Sequence, residues 1–260
     1  MAKFELNRRR FLTGAAVASA APLSGCFDFT GDRDGTVRNA LEAANSLTYR
    51  AQRFLLGSDS LAREYSASEI RQPQRPNGST DPQDPDYLQL VQTNFADYRL
   101  TITGLVDKPL SLSLDEIRAM PARSQITRHD CVEGWSCIAK WTGTPLGPVL
   151  DQAGVKPSAR YVVFGCYDTM ENGFAGPIKY YESIDLLDAR HPQTILAYGL
   201  NDQTLPVSNG APLRIRVERQ LGYKMAKYIK AIAVTDTLKP YGRGNGGYWE
   251  DNGYEWFAGI

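Results

Sequence analysis

The sequence is poor in the residues that build most metal and haem centres. It has two histidines, His129 and His191, and four cysteines, Cys26, Cys131, Cys137 and Cys166. No Cys-x-x-Cys-His occurs, which excludes a c-type haem, and so few histidines argue against a bis-histidine haem. No Cys/His cluster has zinc spacing. Net charge is lacking too: 29 Lys plus Arg are balanced by 29 Asp plus Glu, which argues against a nucleic-acid partner held by bulk positive charge. The apolar run nearest the N-terminus, Phe11 to Ala21, is far short of the roughly 20 residues that span a bilayer. Repeats and low-complexity segments are absent. A chain of this length reads as one large domain, or one domain with a small extension, whose core needs no disulfide framework.

What is present begins with an address. Arg8, Arg9 and Arg10 precede the short apolar run, as in a cleavable signal. Asn7 to Thr13 (NRRRFLT) resembles the twin-arginine signal, and Leu23-Ser24-Gly25-Cys26 resembles a bacterial lipobox with Cys26 as the lipidated residue. The alternatives are an ordinary secretory peptide and a chance cysteine. Acylation would tether the chain without a transmembrane helix. The twin-arginine route carries folded proteins, so the address implies a cofactor inserted before export. The expected organisation is a leader over 1–25, a helical extension over 26–70 and an oxidoreductase domain over 71–260, in the periplasm or cell envelope.

Apolar spacing predicts a helix over Thr36 to Leu56, stopped by Gly57. Residues 71–86, with several prolines, read as an irregular connection. Strands are expected at Tyr98 to Gly104, Tyr161 to Gly165, Thr194 to Leu200, Leu213 to Val217 and Tyr228 to Val234. Ser113 and Glu116 form a capping box for a short helix, and Tyr180 to Leu187 reads as another helix. The tail from Lys239 is rich in Gly, Tyr and Trp without a clear period. Short strands mixed with short helices give an α+β domain.

Cys131 lies in TRHDCVEGWSC, among His129, Asp130 and Glu133. A thiolate is the reactive, metal-binding form of cysteine. From these residues alone Cys131 is either a metal or redox cysteine or a small core hydrophobe. His129 is either a structural hydrogen-bonder or an acid–base group. The basic residues Arg214, Arg216, Arg219, Lys224, Lys227 and Lys230 are either a binding cluster or solvated strand faces. If Cys131 and Cys26 are engaged elsewhere, Cys137 and Cys166 are the pair left for a disulfide, which nothing but the even count supports.

Three ordered blocks carry a family resemblance. Asp130 to Leu150 (DCVEGWSCIAKWTGTPLGPVL) resembles the metal-ligand segment of the sulfite-oxidase superfamily. Asn209 to Ile232 (NGAPLRIRVERQLGYKMAKYIKAI) resembles its second signature, and Thr103 to Ile117 its preceding strand-turn-helix. The resemblance spans roughly residues 70–240. It implies a sulfite-oxidase-type domain of mixed sheets and short helices, holding one mononuclear molybdenum–molybdopterin with Cys131 as the protein ligand to the metal. It also implies cofactor contacts at Asn209, Arg214, Met225, Ala226, Lys227 and Cys166, with Asn77 as an N-terminal contact. Arg214 would face the phosphate, which a guanidinium suits. The family often has Gly where Met225 stands.

The reading of the reaction follows from the same resemblance. True sulfite oxidases tend to have arginines soon after the ligand. Here Val132-Glu133-Gly134-Trp135 looks more like the periplasmic methionine-sulfoxide reductase catalytic subunits. Glu133 can deliver protons, and Trp135 either packs over an apolar substrate or belongs to the core. Oxygen-atom transfer from S-oxides or similar oxo compounds is therefore expected. Sulfite oxidation and a non-catalytic lipoprotein of the same fold are the alternatives. After the second signature no further dimerisation domain is expected. Electrons would come from a membrane b-type cytochrome, a quinol-linked protein or a c-type cytochrome.

Overall fold

The computed structural model describes residues 35–57, 59–174 and 176–260. The leader and Cys26 lie outside the described residues. Two units are distinguished, residues 1–51 and 52–260.

Helix α1 runs from Thr36 to Leu56 and ends where Gly57, at φ +63°, donates its N–H to Arg53 O at 3.1 Å. Its bounds are those the apolar spacing predicts. That spacing does not mark a buried face, because Leu47 is 69% and Phe54 87% exposed.

Alternation of apolar and polar residues writes the strands. In β1 (Arg99–Gly104) Leu100 and Ile102 are buried while Thr101 faces out. The first sheet holds β1, β2 (Leu110–Ser113), β5 (Tyr161–Gly173), β6 (Gly176–Asp185) and β10 (Ile229–Thr235), in the spatial order β2-β1-β10-β5-β6. Only the β1/β10 pair in it is parallel. The second sheet is β3 (Arg123–Asp130), β4 (Ser136–Pro145), β7 (Ile195–Leu200) and β8 (Gln203–Thr204), with β9 (Arg214–Arg216) also paired to β7. Helices α2 (Pro85–Gln92), α3 (Leu114–Arg118) and α4 (Leu146–Ala153) add Tyr87, Ile117, Leu146 and Leu150 to the main core, with Phe164 and Ile232 of the first sheet. A smaller apolar cluster gathers round Trp141, Ile195 and Leu205. The α+β architecture is the one expected.

The capping box is formed as read: Ser113 Oγ accepts from Glu116 N–H at 3.1 Å, and Glu116 Oε2 accepts from Ser113 N–H at 2.7 Å. One expectation is overturned. Tyr180 to Leu187 is not a helix, because Tyr180 to Asp185 belong to β6, antiparallel to β5 from Gly173↔Gly176 to Tyr161↔Asp185. Aromatic and β-branched residues favour the strand once β5 offers a partner. The helix is confined to α5 (Leu186–Ala189), where Asp185 caps the Asp188 N–H at 2.8 Å. The aperiodic tail forms α6 (Tyr248–Asp251), a single turn. No helix among the described residues is long and apolar enough to cross a membrane.

Candidate active site

Cys131 follows β3 and opens the tight turn to β4. Its N–H donates to Trp135 O at 2.9 Å, and Gly134, at φ +84°, returns its N–H to Cys131 O at 3.0 Å. The positive φ suits glycine, and the turn lifts the half-buried thiol out of the sheet. Burial raises the thiol's pKa; the Glu133 backbone N–H and Arg75 pull the other way, and the Glu133 carboxylate adds to the rise. A bound cation would reverse this balance in favour of the thiolate. Among the described residues no group of three or more His, Cys, Asp or Glu gathers to hold a metal, so a metal here would have to bring most of its own ligands.

The thiol opens onto a cleft that is partly open to solvent. Asn77, Glu133, Met225 and Lys227 line it with Cys131. Asn209 and Arg214 do not line the cleft. Arg214 is tied to its wall, donating to Asn209 O at 2.8 Å and to Asn77 Oδ1 and Met225 O at 3.3 Å each. Ala226 and Cys166 are core residues. Met225 N–H donates to Gly222 O at 3.1 Å, so it is engaged locally. Cys166, opposite Ile229 in the first sheet, has its thiol pKa pushed well up by burial. Cys131, Cys137 and Cys166 are all free thiols, which removes the Cys137–Cys166 bridge.

The basic cluster is not a solvated face. Arg214, Arg216, Arg219, Lys224 and Lys227 are buried, while Lys230 is exposed and pairs with Asp86 at 3.3 Å. Arg216 is balanced by Glu218, with both side chains fully buried 2.7 Å apart. Arg214 and Lys227 have no such partner: Lys227 Nζ donates to Ser79 O and, at 3.2 Å, to Ser208 O, while Arg214 lies over the Trp141 ring at 4.9 Å. Burial, helped by Arg216, pulls the Arg214 pKa down to about 9; burial, helped by Arg214, pulls Lys227 down to about 7. Arg214 Nε, Asn209 Nδ2 and Asp168 Oδ1 are buried without hydrogen-bond partners. Buried cations without a salt-bridge partner and unpaired polar atoms are costly unless a ligand satisfies them. A phosphate beside a polar heterocycle has the matching charge and hydrogen-bonding groups, so these residues fit a pterin phosphate.

His129 behaves as the structural alternative. Its Nδ1 accepts from Arg216 at 2.9 Å, and burial with the neighbouring cations pushes its pKa well down. It leaves no room beside it: a Cβ at Gly222 would lie 2.4 Å from His129 Nε2. Trp135 is neither core nor cleft wall. It is held between the Arg75 guanidinium at 4.5 Å and the His129 ring at 5.5 Å, and its indole N–H donates to Glu133 Oε2 at 2.8 Å.

Sequence reasoning missed Asp168 and the aromatic wall. Asp168, two residues beyond Cys166, is buried in the cleft with Oδ2 accepting from Ser79 Oγ at 2.8 Å, and burial raises its pKa. Its signal was an acidic residue ending a buried apolar run. Tyr180, Tyr223, Trp249 and Tyr254 line the cleft with Met170. For Trp249 and Tyr254 the signal was the density of aromatic residues in the tail.

Residues 87–241 match the family described as oxidoreductase molybdopterin binding domain. A chain of Azospira oryzae, provisionally named protein-methionine-sulfoxide reductase subunit YedZ1, is 38% identical over 253 residues, 97% of this chain and 87% of its own length. The protein-methionine-sulfoxide reductase catalytic subunit MsrP of Xanthomonas campestris pv. campestris is 37% identical over 168 residues, 61% of this chain and 51% of its own. This chain thus spans about half the length of that MsrP relative. Among solved structures, the sulfane dehydrogenase SoxCD of Paracoccus pantotrophus aligns with a TM-score of 0.49 and 23% identity, over 55% of this chain and 39% of that one.

Proposed function

Given that the chain belongs to the oxidoreductase molybdopterin-binding domain family, and so is an oxidoreductase whose cofactor is molybdenum–molybdopterin, we propose that it is the catalytic subunit of a cell-envelope reductase of S-oxides. The observation that carries this is the make-up of one cleft. The Cys131 thiol and the Glu133 carboxylate share it with aromatic and methionine side chains, beside the buried cations Arg214 and Lys227, whose side chains hydrogen-bond chiefly to carbonyls and form no salt bridge.

The bound cofactor supplies two-electron oxygen-atom transfer. Cys131 would hold the metal. Arg214 and Lys227 would hold the phosphate, with Asn77, Asn209 and Asp168 on the polar edges of the group and Met225, Ala226 and Cys166 as packing around it. Reducing an S-oxide to a thioether and water consumes two electrons and two protons. Glu133 lies two residues after the thiol and lines the cleft with it, whereas Asp130 is tied to Arg128 and Ser136, so Glu133 is the group we assign to proton delivery. Trp135 orients that carboxyl through its indole N–H. Tyr180, Tyr223, Trp249 and Tyr254 offer apolar faces to the carbon chain of a thioether, and sulfur–aromatic contacts are favourable. An exposed carboxylate at the thiol disfavours sulfite by like-charge repulsion.

The address at Arg8–Arg10 and Cys26 places the enzyme, in this reading, in the periplasm with a lipid tether. Electrons come from a membrane b-type cytochrome or quinol-linked subunit, with a soluble c-type cytochrome as the other source; the names of the relatives, each a subunit, support such a partner. Reduced-dye assays with methionine sulfoxide and dimethyl sulfoxide, run against ferricyanide assays with sulfite, test the reaction. Dye oxidation by S-oxides is expected; sulfite oxidation without S-oxide reduction would overturn the proposal.

A further inference from the structure

Outside the thiol and the cationic cradle, the most unusual group of charges is fully buried. Lys224 Nζ lies 2.5 Å from Glu182 Oε1 and also contacts the Glu250 carboxylate, and all three side chains are out of solvent. Two acids share one base. Burial, and then Glu250, push the Glu182 pKa well up, while the two acids raise Lys224 against its burial. The cluster is held by geometry: one ammonium bridges two carboxylates from different elements, β6 and α6.

Each member adjoins a residue of the aromatic wall. Tyr223 precedes Lys224, Trp249 precedes Glu250, and Tyr180 stands two residues before Glu182 on β6. Further bonds join the same elements: Tyr180 OH donates to Tyr223 O, and Tyr223 OH donates to Glu255 O at 2.6 Å. Tyr181 OH donates to Asp251 Oδ2 at 2.6 Å. The rings meet in consequence, with Trp249 stacked on Tyr254 at 5.2 Å and Tyr223 edge-on to Tyr254 at 5.2 Å. Glu182 and Lys224 lie inside the family match, whereas Trp249, Glu250 and Tyr254 lie beyond its last matched residue, 241. The wall is thus built by clamping a segment outside the family's common part onto the common part.

We propose that Lys224 is a positioning residue for substrate: by holding Glu182 of β6 and Glu250 of α6 together, it sets the spacing of the Tyr223 and Trp249–Tyr254 faces that grip the apolar chain of an S-oxide. This rests on the reductase reading above for the identity of the substrate, and on the clamp alone for the placement of the wall. Lys224 and Glu250 touch no reacting atom. Loosening the clamp therefore changes KM and leaves the turnover of bound substrate.

The test uses holoenzyme from a molybdenum-replete host with Glu250→Ala, which leaves the cofactor cradle untouched. Removing Glu250 cuts the contact that ties α6 to Lys224, so hydrogen exchange over 247–256 should quicken while molybdenum content stays at the wild-type level. KM for methionine sulfoxide should rise about tenfold, the scale of losing two aromatic contacts, with kcat within about twofold. Glu250→Gln, whose amide oxygen still accepts from Lys224, should recover most of the KM. Should the alanine variant not fold, Glu250→Asp, one methylene short, carries the same prediction at smaller size. Faster exchange with an unchanged KM would overturn the proposal, as would unchanged exchange. If wild-type protein reduces no S-oxide, the substrate assignment falls, and exchange at Trp249 and Tyr254 still decides the clamp.

Discussion

Arg214 donates from one nitrogen both to Asn77 Oδ1 and to the Met225 carbonyl, at 3.3 Å each, joining positions 137 residues apart. This pins the proline-rich connection over 71–86 to the second signature, and it places Asn77 on the cleft. The guanidinium that performs the join has no acid of its own. The same residue therefore joins two distant segments behind the wall of the cleft.

Asn77→Ala should loosen that join without unfolding the domain. A hydrogen bond to a charged group contributes roughly 1.5–3 kcal/mol, so retention of the pterin should fall about tenfold or more. Pterin released on gel filtration, compared with wild type, measures it; equal retention would remove Asn77 from the cofactor site.

Lys227→Met should act with opposite sign on stability and on binding. In protein made without the cofactor, the Lys227 pKa lies near 7 against an ordinary 10.5. A depressed lysine binds fewer protons folded than unfolded, so stability rises with pH across that window. The cost of the buried charge is full below about pH 7 and gone above about 10.5. The variant should therefore melt higher than wild type by about a few degrees at pH 6, with the gap closing as pH rises, while losing phosphate affinity. Melting curves from pH 6 to 10 check the first part and pterin retention the second.

Cys131→Ala should abolish turnover and molybdenum binding and leave part of the pterin in place, because Arg214 and Lys227 remain. Full activity in this variant would remove the metal-ligand assignment. Cys137→Ala, at a buried free thiol on β4, should keep its activity.

Glu133→Gln preserves an oxygen to accept from Trp135 but cannot deliver a proton. If Glu133 is the acid, kcat falls by about a hundredfold or more with KM changed little. A loss confined to KM would make Glu133 a binding group instead.

Much of the site was legible because it sits on local chemistry. The Ser113–Glu116 capping box, the Gly57 stop and the alternating strands each follow from residues a few positions apart. Cys131 and the Asn209–Lys227 block were found through family resemblance, since the residues around Cys131 alone favoured a core thiol. Other features depend on tertiary placement. Tyr180 to Asp185 became a strand because β5 lay beside it, and Arg214 and Lys227 became buried cations without a salt bridge because the sheets closed over them. The wall of Trp249 and Tyr254 was illegible for the same reason: a tail without periodicity gains its position from a clamp to Lys224, 26 residues earlier.

The central claim is that these buried cations and the Cys131 thiol hold a molybdenum–molybdopterin. Its most direct measurement is the molybdenum and pterin content of protein isolated from a molybdenum-replete host. Near-stoichiometric amounts of both are expected. Folded protein that carries neither, from a host that loads other molybdenum enzymes, would contradict the account.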